Sequence, residues 1–142
     1  MFVFIDNSRT LSTSMKPNFQ IPLIIAGLLG FTGVALGAFG AHGLKQTLET
    51  TGQLKTWEKA VFYQIAHAIA LLAVVLAGQP LRATKLIAWC WIGGVLAFSG
   101  SLYWLSLGGP VQLLWPITPL GGLALLTGWA GLVGSAIRKQ KE

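Results

Sequence analysis

The chain has 142 residues, of which 54% are hydrophobic and only 10% are charged, with a formal net charge of +6. An ordinary soluble domain carries roughly 25% charged residues, so this composition excludes a soluble domain and is typical of a membrane protein. The ten Lys and Arg residues are scattered among tails and loops and form no single basic face, which excludes nucleic acid as the expected partner.

Residues 1–20 show no pattern of a packed element and are predicted to be a disordered N-terminal tail. Met15, followed by Lys16 and Pro17, is a second candidate start of the chain. A cleaved signal peptide is the alternative for the segment that follows. Its apolar run of about 20 residues exceeds the usual 7–15 of a signal sequence, so a retained membrane span is favoured.

Four charge-free segments are each long enough to cross a hydrocarbon core, which needs about 20 apolar residues. They predict an all-α fold, an integral membrane four-helix bundle in the lipid bilayer with a short interfacial helix between spans 1 and 2. The spans are expected at about residues 21–41, 57–78, 86–107 and 119–137, within a membrane domain of residues 21–138 and before a cytoplasmic tail at 139–142.

Glycines recur along the first span three or four residues apart, which places them on one helix face. Spacings of this kind let two membrane helices approach closely, so the face is predicted to seat another helix. A homo-oligomer or a membrane-protein partner is a further candidate occupant of such faces. The ladders are Gly27, Gly30, Gly33, Gly37, Gly40 and Ala41 in the first span, Gly93, Ala97 and Ser101 in the third, and Thr127, Gly131 and Ser135 in the fourth.

The loop after the first span begins with His42, which is predicted to cap the helix end, where the helix dipole favours a cation. Leu44 and Leu48 follow one turn apart among polar residues, which predicts the interfacial helix. A metal site of His42 and His67 is not expected, because two ligands are too few and no cysteine pair or buried carboxylate completes them. No cofactor is expected either.

Aromatic residues and a helix-start signal define the limits of the later spans. Aromatic belts are expected at the two interfaces, and Thr118 is predicted to be an N-cap that is followed by proline at the first helical position. The belt residues are Trp57 and Tyr63 in the second span and Trp89, Trp91, Tyr103 and Trp104 in the third.

The distribution of positive charge predicts the orientation. Seven Lys and Arg residues fall in the two tails and the second loop, whereas Lys45, Lys55 and Lys59 fall on the opposite side. By the positive-inside rule, both termini are predicted to be cytoplasmic and the loop at residues 43–56 extracytoplasmic.

Polar side chains inside a bilayer are costly, so they are the candidates for function. Gln64 and His67 lie one turn apart on the second span, and with Ser99, Ser101 and Thr118 they form a candidate polar pocket near one interface. Two interpretations of His67 stay open. It is either a neutral imidazole hydrogen-bonded to a neighbouring helix or a group that handles protons or contacts a ligand.

Enzymatic chemistry finds little support in the sequence. The lone cysteine, Cys90, lies inside an apolar span, where a thiol stays protonated. No catalytic residue is assigned, and no enzyme activity is expected, because none of the four charge-free segments contains a carboxylate to act as a buried acid or base. The four carboxylates are Asp6, Glu49, Glu58 and Glu142.

Four segments together resemble a known family. They are residues 33–42, Tyr63-Gln64 with His67, residues 98–103, and residues 118–122 with Gly128-Trp129. The chain is similar to the YgdD-like bacterial membrane proteins, the domain of unknown function 423, with vertebrate transmembrane protein 256 as a distant relative.

The resemblance implies a small four-helix, multi-pass protein of the bacterial inner (plasma) membrane, without an established activity. It carries no catalytic residue over to this chain. Family members are expected to have an acidic residue near Tyr63, where this chain has Phe62, and that difference weakens a relay between His67 and a carboxylate.

Two functional hypotheses follow. The first is a structural or accessory membrane component that acts through helix packing. The alternative is a small-molecule binder or transporter with a polar pocket around His67. Convergence of the five pocket side chains would favour the alternative, and scattered placement would exclude it.

Overall fold

The structure is a computed structural model that describes residues 17–77 and 81–139. The described part of the chain forms six helices, and four segments are long and apolar enough to span a membrane, which confirms the predicted all-α membrane fold. The helices are α1 (Pro17–Ala41), α2 (Lys45–Thr50), α3 (Leu54–Leu76), α4 (Leu81–Ser106), α5 (Val111–Leu114) and α6 (Ile117–Lys139).

Helix α1 begins at Pro17, so residues 17–20, which the sequence assigns to the N-terminal tail, are helical. The rest of that tail, with Met15, lies outside the described residues, as do residues 140–142 of the expected cytoplasmic tail. The predicted interfacial helix corresponds to α2. Its Leu48 is fully buried, while Lys45 Nζ and Glu49 Oε1 lie 3.9 Å apart on its exposed side.

The long helices pack mainly in chain order, α1 against α3, α3 against α4, and α4 against α6. Helix α4 is central, and its Ile87, Trp91 and Val95 lie in one hydrophobic cluster with Leu71 of α3 and Leu125 of α6. The core therefore follows the inner faces of α3 and α4, and α1 and α6 flank it.

Glycines hold α1 close to α3. A Cβ atom built at Gly33 would lie 2.8 Å from Ile65 Cγ1, and one at Gly40 would overlap the indole of Trp57. The predicted helix seat on α1 is confirmed for this half of the face. No described residue lies within 4 Å of a Cβ added at Gly27 or Gly30, so within residues 17–77 and 81–139 the seat does not extend to them.

Glycines also allow α6 to pack closely against α4. A Cβ atom at Gly121 would overlap the backbone of Phe98, and one at Gly128 would overlap the indole of Trp91. On α4, the glycine in this interface is Gly94, which faces Leu125, whereas an added Cβ at Gly93 meets nothing within 4 Å. Of the ladder that the sequence predicts for the third span, Ala97 and Ser101 therefore lie in this interface, whereas Gly93 does not.

Large apolar side chains cover the outside of the long helices. Phe31 of α1 is 73% exposed and Leu126 of α6 is 66% exposed. Soluble monomers rarely expose contiguous apolar surface of this extent, so the surrounding medium that fits these helices is lipid.

Candidate functional site

Gln64 of α3 joins three helices through its amide group. Its Nε2 atom donates hydrogen bonds to the carbonyl oxygen of Leu29 (2.9 Å) and to Thr32 Oγ1 (2.8 Å), both in α1. Its Oε1 atom accepts a hydrogen bond from the hydroxyl of Tyr103 in α4, at 3.0 Å. Both amide hydrogens donate hydrogen bonds, and the residue is 4% exposed, so Gln64 links α1, α3 and α4 from a buried position.

His67 is held by one hydrogen bond at each ring nitrogen. Nδ1 lies 2.8 Å from the carbonyl oxygen of Tyr63, which can only accept, so Nδ1 carries the proton. Nε2 accepts a hydrogen bond from the indole Nε1–H of Trp129 in α6, at 3.1 Å. In this arrangement Nδ1 donates and Nε2 accepts, so the two contacts use both ring nitrogens and leave neither open to a polar ligand.

Ser101 and Thr118 form a separate pair between α4 and α6, with their hydroxyl oxygens 2.6 Å apart. Thr118 also donates to the carbonyl oxygen of Leu114, at 3.1 Å. Helix α6 begins at Ile117, so Thr118 lies within the first turn and is not the N-cap that the sequence predicts. Its hydroxyl bonds backward to α5, since the chain turns almost directly from one helix into the next.

Ser99 lies on α4 and is 1% exposed. Among the described residues its hydroxyl has no hydrogen-bond partner. Ser99 therefore takes no part in the hydrogen bonds described above for Gln64, His67 and Ser101. The five predicted pocket residues are thus distributed over separate contacts, and the single convergent polar pocket predicted from the sequence is not formed.

Two tryptophans that the sequence assigns to an interfacial belt are instead buried between helices. Trp57 is 3% exposed and donates from Nε1 to the carbonyl oxygen of Leu36 in α1, at 3.0 Å. Trp91 is 1% exposed and donates to the carbonyl oxygen of Leu125 in α6, at 3.2 Å. Each indole lies over a glycine, so the missing side chain provides the room that the ring occupies.

His42 is exposed and follows the last residue of α1. Its Nδ1 lies 3.0 Å from the carbonyl oxygen of Ala38, one turn back in the same helix. The same carbonyl already accepts the backbone N–H of His42 at 3.1 Å, so the imidazole adds a second hydrogen bond to a carbonyl of the last helical turn. Within residues 17–77 and 81–139, no three His, Cys, Asp or Glu side chains lie close enough together to hold a metal ion.

An open cleft of about 430 Å³ lies beside His67 where α3, α4 and α6 meet. Aromatic rings dominate it, with the rings of Tyr63 and Phe98 4.7 Å apart and Tyr63 stacked parallel to His67. Trp129, the partner of His67, also lines the cleft. Trp129 is 44% exposed near the middle of the last span, and only its place away from both interfaces distinguishes it in the sequence from a belt tryptophan.

A family model described as protein of unknown function (DUF423) matches residues 36–122. A UPF0382 membrane protein of Haemophilus influenzae is 40% identical over 119 residues, covering 83% of this chain and 94% of the relative. UPF0382 membrane proteins of Staphylococcus saprophyticus and Schizosaccharomyces pombe are each 38% identical, covering 80% and 77% of this chain and 94% and 95% of the relatives. No solved structure matches the chain.

Proposed function

Because this chain belongs to the membrane protein family of unknown function DUF423, we propose a role that depends on its helix packing: a structural or accessory component of the membrane without catalytic activity of its own. The observation that carries the proposal is the bonding of His67. Both its nitrogens are engaged within the protein, at Tyr63 and at Trp129. A group bonded in this way stabilises a helix contact and has no free site for proton transfer.

Other polar side chains of the spans support the same conclusion. Gln64, Trp57 and Trp91 each bond to a backbone carbonyl of a neighbouring helix. In hydrocarbon, such bonds orient helices and replace the water that a polar group would otherwise need. A homo-oligomer or a membrane-protein partner would use helical glycines without close neighbours among the described residues, such as Gly27 and Gly30 of α1 or Gly93 and Gly100 of α4.

Native mass spectrometry of the protein released from mild detergent tests the role of His67. We expect one protein mass without a polar small-molecule adduct, because His67 has no nitrogen free to bind one. A stoichiometric polar adduct that is lost in His67→Ala and kept in the control His42→Ala would contradict the proposal and make His67 a binding residue. Phospholipid adducts do not bear on this outcome, since they need no free polar group at His67.

We also propose that the protein lies in the bacterial inner membrane with both termini in the cytoplasm. Support comes from the seven Lys and Arg residues on the side of the termini, against three on the side of α2. In that orientation α2 and α5 are extracytoplasmic.

Cysteine labelling in intact cells measures the orientation. In a chain without Cys90, we expect Gln46→Cys, at an exposed position of α2, to react with a membrane-impermeant maleimide. Lys85→Cys, at an exposed position near the opposite ends of the helices, should react only with a permeant reagent. The reverse pattern would place the termini outside the cell.

A further inference from the structure

The cleft beside His67 covers about half the depth of the membrane. On α6 its lining runs from Pro119 to Trp129, and ten residues of helix rise about 15 Å at 1.5 Å per residue. The hydrocarbon core is about 30 Å thick, so this length corresponds to one leaflet. The Pro119 end lies next to the turn between α5 and α6, which makes it the end near the membrane surface.

The lining of the cleft suits hydrocarbon. Leu123 and Leu126 are 60% and 66% exposed on its α6 side, and the rings of Tyr63 and Phe98 lie opposite. His67, near its deeper end, has both nitrogens engaged. The imidazole therefore cannot bind a polar ligand at this depth.

The size of the cleft and its opening narrow the choice of occupant. Its volume of about 430 Å³ lies within the roughly 300–1,000 Å³ typical of small-molecule sites. It opens among lipid-facing side chains, where no water is present to fill it. A flexible chain of one leaflet's length can enter from the side and gain dispersion contacts along its whole length.

Gly122 keeps the cleft accessible. An added Cβ at Gly122 would lie 3.6 Å from the Phe98 ring, an ordinary contact, and since both residues line the cleft, a longer side chain at Gly122 would take up part of its volume. We propose that the cleft binds one acyl chain of a phospholipid from the leaflet on the α5 side of the membrane. This site does not depend on the proposed accessory role.

Photo-crosslinking in phosphatidylcholine vesicles tests the site with the full chain. The probe is a phosphatidylcholine with a diazirine near the end of one acyl chain, and the labelled residues are read by peptide mass spectrometry. We expect labelling of Leu126 and Trp129 to exceed that of Leu96 several-fold, although Leu96 is 64% exposed on the outer side of α4. Equal labelling of all exposed apolar residues would overturn the proposal.

Gly122→Leu should reduce labelling of the cleft several-fold and leave labelling of Leu96 unchanged. Gly134→Leu is the matched control in the same helix, because an added Cβ there meets none of the residues that the structure describes within 4 Å. This variant should be labelled as the wild type is. Unchanged cleft labelling in a folded Gly122→Leu protein would overturn the assignment.

Wild-type protein supplies a second measurement that does not depend on the variant. A diazirine near the ester end of the acyl chain should label close to Pro119, while the terminal diazirine labels close to Trp129. The opposite order would contradict the assignment of the acyl chain to the leaflet on the α5 side. Displacement of the probe by an equimolar polyprenyl alcohol would assign the cleft to an isoprenoid and overturn the proposal. Protein–protein crosslinks from this cleft would assign it to a second copy of the chain and also overturn the proposal.

Discussion

Gly121→Ala is expected to destabilise the protein by about 3 kcal/mol or more, at the upper end of the cost of overpacking. The added methyl group would overlap the backbone of Phe98, and a backbone cannot rotate away as a flexible side chain can. Helices α4 and α6 would have to move apart, which would loosen the contacts at Gly128 and Ser101 as well. The loss of stability is measured by heating the protein in detergent and recording how much of the monodisperse peak remains in size-exclusion chromatography.

Gly134→Ala is the control for this prediction. It makes the same chemical change in the same helix, at a position where no described residue lies within 4 Å of the new atom. Alanine is favoured over glycine in a helix by roughly 0.5–1 kcal/mol, so this variant should be as stable as the wild type or slightly more stable. Similar losses of stability in both variants would show that the close packing of α6 against α4 is not the reason why Gly121→Ala is destabilising.

Gln64→Leu is expected to cost about 1–3 kcal/mol, because it removes three interhelical hydrogen bonds that in membrane proteins average about 0.6 kcal/mol each. The cost also includes leaving the Tyr103 hydroxyl without its acceptor inside the protein. Leucine has a similar volume, so a large cavity is not part of the effect. The same thermal assay in detergent measures the loss.

A double-mutant cycle separates the contribution of the Gln64–Tyr103 hydrogen bond to stability from that of side-chain packing. Tyr103→Phe alone removes one bond, and in a Gln64→Leu background it should cost less than it does alone, because its partner is already gone. Gln112→Leu, at an exposed position of α5, is the matched control and should have little effect. Strict additivity of Gln64→Leu and Tyr103→Phe would show that their hydrogen bond contributes nothing to stability.

The membrane fold was predictable because a span needs a long apolar run, and that requirement is visible in one sequence. The seat on α1 was predictable for the same kind of reason, since the spacing of Gly33, Gly37 and Gly40 puts them on one face. Which helix fills a seat depends on contacts between distant segments. The sequence alone did not distinguish Gly94, which packs against α6, from Gly93, which remains open.

The grouping of polar residues was predicted less well. Residues three apart on a helix differ by about 60° in direction, which is enough for Gln64 to face α1 and α4 while His67 faces α6. The predicted pocket grouped His67 with two serines and a threonine, whereas its partner on a neighbouring helix is the indole of Trp129. An indole has one polar atom on a large apolar ring, so its hydrogen bond is hidden in a pattern that looks like lipid-facing surface.

The packing of the long helices in chain order also bears on how the protein is made. Ribosomes deliver the N-terminal part first, and contacts between neighbouring segments form with the least loss of loop entropy. The contacts of α3 with α1 and of α4 with α3 involve no residue of α6, so we expect them to form before α6 is synthesised. The hydrogen bond from Trp129 to His67 reaches back past α4 to α3, so it forms only when the last helix is in place and completes the assembly.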